Sequence, residues 1–109
     1  MAYDQVLAGR VRSMLAGVTN MEEKKMFGGV GFLVQGNMAC GVHGDDLIVR
    51  VGPDRYPEAL GQPYTKVFDM TGKPMAGWIL VTPSGVISDA DLENWVVQGL
   101  EFAKTLPGK

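Results

Sequence analysis

The run from Lys24 to Val51, KKMFGGVGFLVQGNMACGVHGDDLIVRV, constrains the fold more than any other part of the chain. Two turn signals, Gly36-Asn37 and Gly44-Asp45, divide it into three extended runs of about six residues, the spacing of an antiparallel meander. With Gly36 and Asn37 as the central residues of a type II′ turn, Gln35 faces Met38, Val34 faces Ala39 and Leu33 faces Cys40. The second turn sets His43 against Asp46, Val42 against Leu47 and Cys40 against Val49. Facing residues share a side of the sheet, so one face reads Leu33, Met38, Cys40, Val42, Leu47, Val49 and Val51, with Gln35 its polar exception. That face needs cover. The other reads Phe32, Val34, Ala39, Gly41, His43, Ile48 and Arg50, a mixture suited to a working surface.

The remaining segments supply the cover. From Asp4 to Gly17, Leu7, Val11, Met14 and Leu15 fall on one side of a helix, and Arg10 and Arg12 lie off that stripe, where solvent is the simplest surrounding. Glu22 to Phe27 reads as a strand entering the sheet from its edge, ended by Gly28-Gly29. GPDRYPEALG after Val51 fits a short helix from Pro53-Asp54 to Gly61, with Tyr56 and Leu60 packing inward. Lys66–Met70 and Met75–Val81 read as two more strands joined at Thr71-Gly72-Lys73, placed toward an edge by Pro74. Ser88 caps a final helix whose Leu92, Trp95, Val96, Gly99, Leu100 and Ala103 follow helical spacing, and residues 105–109 read as a frayed tail. The expected fold is α+β: a single domain over residues 1–109 with an antiparallel meander of five or six strands between an N-terminal and a C-terminal helix.

Composition narrows function by exclusion. Ten basic residues against twelve acidic ones give a net charge of -2, without the basic excess that draws small domains to phosphate backbones, so direct nucleic-acid binding is disfavoured. Such binding would need Arg10, Arg12, Lys24 and Lys25 to converge. The N-terminus lacks the apolar core of a signal peptide and no run is long enough to span a bilayer, which makes a cytoplasmic, non-membrane protein the expectation. One cysteine, Cys40, leaves no internal disulfide.

No catalytic set emerges from these residues. FGGVG is followed by an extended run rather than by a helix, so its glycines bend a backbone and do not cradle a phosphate. His43, Asp45 and Asp46 crowd one turn without the further ligands that a metal site requires. The chain therefore reads as a non-enzyme without cofactor or metal. Its expected partner is another protein or a second copy in a weak homodimer, met through Phe32, Val34, Ile48 and Arg50. The alternative is a binder of a small anion, or an enzyme acting on one, with Arg50 and Lys73 as the contacts.

The order of Lys25-Met26-Phe27-Gly28-Gly29, Gly36-Asn37-Met38, the strand Leu47–Arg50, the segment from Phe68 to Gly77-Trp78 and the Trp95 helix resembles the N-terminal domain of TfoX/Sxy proteins over nearly the whole chain. Val30 stands where an aromatic is common in that family, and Gly77-Trp78-Ile79 where tyrosines are common. The resemblance implies a structural role for Met26, Phe27, Gly28 and Gly29. It also implies a regulatory protein: members that regulate competence act with a cyclic-AMP receptor-type activator and commonly carry a second, helical domain. This chain is expected to be a short member with the first domain alone, and its regulatory role is a matter of analogy at the level of the fold.

Overall fold

The computed structural model describes residues 3–26, 28–69, 72 and 75–108. The chain runs α1 (Gln5–Met14), β1 (Met21–Met26), β2 (Gly29–Val34), β3 (Asn37–His43), β4 (Asp46–Arg50), α2 (Tyr56–Leu60), β5 (Thr65–Val67), β6 (Trp78–Val81) and α3 (Asp89–Lys104). All six strands join one antiparallel sheet in the order β1-β2-β3-β4-β6-β5, the α+β class expected.

Local chemistry sets the helix starts. The Asp4 carboxylate accepts from the backbone N–H groups of Val6 and Leu7 at 2.9 and 3.1 Å, and Ser88 Oγ accepts from that of Asp91 at 3.1 Å. Asp89 and Asp91 lie in the first turn of α3, where the helix dipole favours negative charge. Leu7, Val11 and Leu15 from the α1 segment, Ala59 from α2, and Leu92, Trp95 and Val96 from α3 join Val30, Phe32, Cys40, Val42, Leu47, Val49, Ile79 and Val81 in one core. The helices thus share a single face of the sheet.

Two details of the β2–β3 hairpin correct the sequence-derived register. Val34 pairs with Asn37, so the central turn residues are Gln35 and Gly36, one position earlier than expected. Both have positive φ, 53° and 83°, as a type I′ turn requires, and not the single left-handed glycine of type II′. The pairing then shifts between Phe32 and Leu33: Leu33 faces Met38 while Phe32 faces Cys40, which leaves Ala39 as the extra residue of a bulge. A slip of one residue exchanges the faces of a strand. Leu33 and Met38 accordingly lie on the side away from the helices, and Phe32 and Val34 lie beneath them. The second turn stands as expected, with His43 against Asp46 and Gly44 at φ 58°.

β5 and β6 are shorter than their sequence suggests. Pairing ends at Val67–Ile79, after which Phe68 and Met75 close a separate loop through a 3.0 Å backbone hydrogen bond, and Gly77 enters the left-handed region at φ 90°. Met70, Thr71, Lys73 and Pro74 of this connection lie outside the described residues. Beyond α3 the chain does not simply fray: the buried Asn37 side chain donates from Nδ2 to the Pro107 carbonyl at 2.8 Å.

Candidate functional site

The sheet face opposite the helices is the candidate site. Strand alternation from the observed register places Met26, Gly31, Leu33, Met38, Gly41, Ile48, Arg50, Trp78 and Leu80 on it. Gly31 and Gly41 face each other and leave a furrow that thioethers fill. Met26 Cε lies 3.0 Å from where a Cβ on Gly31 would sit, and Met38 Cε 2.7 Å from one on Gly41. Farther along, Ile48, Phe68 and Leu80 form a small apolar cluster with Met38, Met75 and Trp78 packed against it. Methionine supplies a deformable, polarisable surface here.

Arg50 ends this stripe. Its guanidinium carbon lies 4.9 Å from the Trp78 ring centroid and 5.3 Å from that of Phe102 of α3, so the cation sits at the end of the sheet, within reach of one ring from β6 and one from the helix layer. Partial burial lowers its pKa from the ordinary arginine value, although a guanidinium remains charged in proteins. Among the described residues no carboxylate forms an ion pair with it. The other rim charges have partners: Lys66 meets Asp46 at 3.1 Å, and Lys24 lies 4.0 Å from Glu22.

The expected interface set does not converge. Ile48 and Arg50 lie on the side away from the helices, where Ile48 is itself only 2% exposed in its cluster with Phe68 and Leu80, whereas Phe32 and Val34 are 0% and 2% exposed beneath the helices, so these four residues cannot form one surface. Met26, Met38 and Trp78, each half-buried, stand on that side instead. The signal for this was the alternation of Val30 and Phe32 with Gly29 and Gly31, which already separates a bulky side from a small one.

Of the anion pair, Lys73 lies outside the described residues, as does Phe27 of the family motif. A cavity of about 200 Å³ near the end of α3 is lined by Gly52, Pro53, Arg55, Glu101, Phe102 and Thr105; its arginine, Arg55, is paired to Glu101 at 3.2 Å. The two motif glycines serve structure. Gly28 adopts φ 74° in the β1–β2 hairpin, and a Cβ on Gly29 would strike the Val42 carbonyl oxygen.

Arg10 and Arg12 are not merely solvated. Arg10 donates to the carbonyls of Val86 and Ile87 and to Asp89, tying α1 to the start of α3, while Arg12 binds both carboxylate oxygens of Glu23 at 2.7 and 2.8 Å. The Arg12 hydrogen bond holds the Glu23 carboxyl below its ordinary pKa. Lys24 and Lys25 lie on opposite sides of β1, so these four cations form no common patch.

Cys40 is fully buried in the helix-covered core, and desolvation pushes its thiol up to about 12. A nucleophile must be the thiolate, so this sulfur is chemically quiet at neutral pH. The raised pKa stabilises the fold below the thiol's ordinary 9.0, and that contribution is lost as pH rises toward 12. Native protein is therefore expected to react with a thiol reagent at pH 8 at least about a hundredfold more slowly than urea-unfolded protein. Equal rates would place the cysteine at the surface.

An antiparallel sheet with its helices on one side and a methionine-lined face on the other defines a class of small α+β domain. Within that class the assignment is specific: a family model described as the TfoX N-terminal domain matches residues 13–103, and the chain belongs to that family. No curated protein and no solved structure matches it.

Proposed function

We propose that this chain is a non-catalytic regulatory module that docks a protein partner on the sheet face opposite its helices. The observation that carries the reading is Arg50, within reach of Trp78 and Phe102 and not ion-paired within its own chain among the described residues. A positioned cation beside an apolar stripe suits a partner that offers apolar side chains and a carboxylate. Arginine and aromatic residues are the groups that most often dominate binding energy when buried at an interface. The fold family supports a regulatory setting, and the buried, protonated Cys40 gives the core no nucleophile.

A photo-crosslinking residue at Met26, compared with one at Val97 on the exposed side of α3, tests this in cell extract. Adducts are expected from Met26 alone, and the captured protein, once purified, should bind the Arg50→Ala variant at least about tenfold more weakly than the wild type in calorimetry. Adducts from Val97 only, or undiminished binding by a folded Arg50→Ala variant, would overturn the proposal.

A further inference from the structure

β1 is one outer strand of the sheet, and its sequence, MEEKKM, is suited to pairing with itself. The direction of its backbone groups follows from the register. Gln35 N–H donates to the Asn20 carbonyl at 3.0 Å in continuation of the β1–β2 ladder, so even-numbered β1 residues aim their backbone groups at β2. The N–H and C=O groups of Met21, Glu23 and Lys25 therefore aim outward. The opposite edge, β5, is only three residues long and offers far less to pair with.

A two-fold axis joining two antiparallel β1 strands must stand perpendicular to the sheet, because it reverses strand direction while keeping each face on its own side. Facing residues are then both even or both odd. With the axis at Glu23, the outward groups of Met21, Glu23 and Lys25 all find partners. Glu22 then faces Lys24 of the second copy, and Lys24 faces its Glu22. These are the pairs without mutual backbone hydrogen bonds, in which side chains approach most closely. Glu23 faces its own copy, but each carboxylate is already gripped by Arg12 at 2.7 Å. With the axis at Lys24, by contrast, two ammonium groups confront each other and fewer backbone groups pair.

Charges on a sheet edge ordinarily discourage pairing. Here their signs match in the two-fold register that pairs the most outward backbone groups. We infer that two copies of this chain associate through antiparallel β1–β1 pairing centred on Glu23, extending the sheet to twelve strands with Glu22–Lys24 ion pairs across the axis. The association is weak and salt-sensitive, since these side chains are more than half exposed, 58% and 56%.

Sedimentation equilibrium over a concentration series tests it with exposed substitutions that leave the core untouched. The wild type is expected to dimerise, and Lys24→Glu and Glu22→Lys alone should each associate about tenfold or more weakly. An equimolar mixture of the two variants should regain dimerisation, because each then presents the complement of the other. A wild type that stays monomeric at all concentrations, single variants that dimerise normally, or a mixture that fails to recover would each overturn the inference. Preferential pairing of Lys24→Glu with the wild type would also contradict it, moving the axis to Lys24.

Discussion

Phe32→Ala is expected to lower the free energy of unfolding by about 3–5 kcal/mol, a large share of the roughly 5–15 kcal/mol typical of a domain. Phe32 is fully buried in the core that α1 and α3 share with the sheet, beside Leu7, Val11, Leu92 and Trp95 among others. Removing its ring leaves a cavity bounded by a helix layer and a hydrogen-bonded sheet, neither of which can collapse freely into it. Urea titration followed by circular dichroism gives the difference directly. A loss below about 1 kcal/mol would mean that the ring is partly solvated, as the unbulged register has it.

Gly99→Ala should also be costly although alanine is the better helix former. A Cβ at Gly99 would collide with the Ala39 carbonyl oxygen and approach the carbonyl carbon at 3.0 Å, both backbone atoms of the bulged strand. α3 must then lift from β3, separating the contacts that bury Ala103 against Ala39 and Val34. The overpacking outweighs the gain of about 1 kcal/mol from helix propensity and leaves a net loss of about 2 kcal/mol. Gly9→Ala in α1 supplies the contrast. Its added methyl meets only the far end of the Arg12 side chain at 4.0 Å, so the same exchange should stabilise by up to about 1 kcal/mol. Thermal and urea unfolding of the two variants should move in opposite directions; equal shifts would remove the close approach at Gly99.

Much of this fold was legible in the sequence because its signals are local. Asp4 and Ser88 mark the helix starts, the Trp95 stripe keeps helical period, and Gly44-Asp45 closes its hairpin with the pairing read from the residues. What failed was one register. Gln35 is an uncommon residue for a left-handed turn position, so Gly36-Asn37 looked the better turn. The Ala39 bulge lies where α3 rests against that strand through Gly99, a contact sixty residues away that no local pattern announces. Those two displacements moved Phe32 and Val34 from the proposed surface into the core. They moved Leu33 and Met38 the other way. Ile48 and Arg50 kept their face because β4 takes its register from the hairpin that was read correctly. The aromatic setting of Arg50 was not readable, since it assembles Trp78 and Phe102 from β6 and α3.

Which sheet face the helices cover underlies both the candidate site and the core, and the Met38 methyl group reports on it most directly. A nuclear Overhauser spectrum on selectively methyl-labelled protein should show cross-peaks from Met38 Cε protons to the Hα protons of Gly31 and Gly41, since the methyl fills the furrow above those glycines. Cross-peaks from Met38 to Ala103 and Leu100 of α3, with none to the two glycines, would place it under the helices and contradict the bulged register.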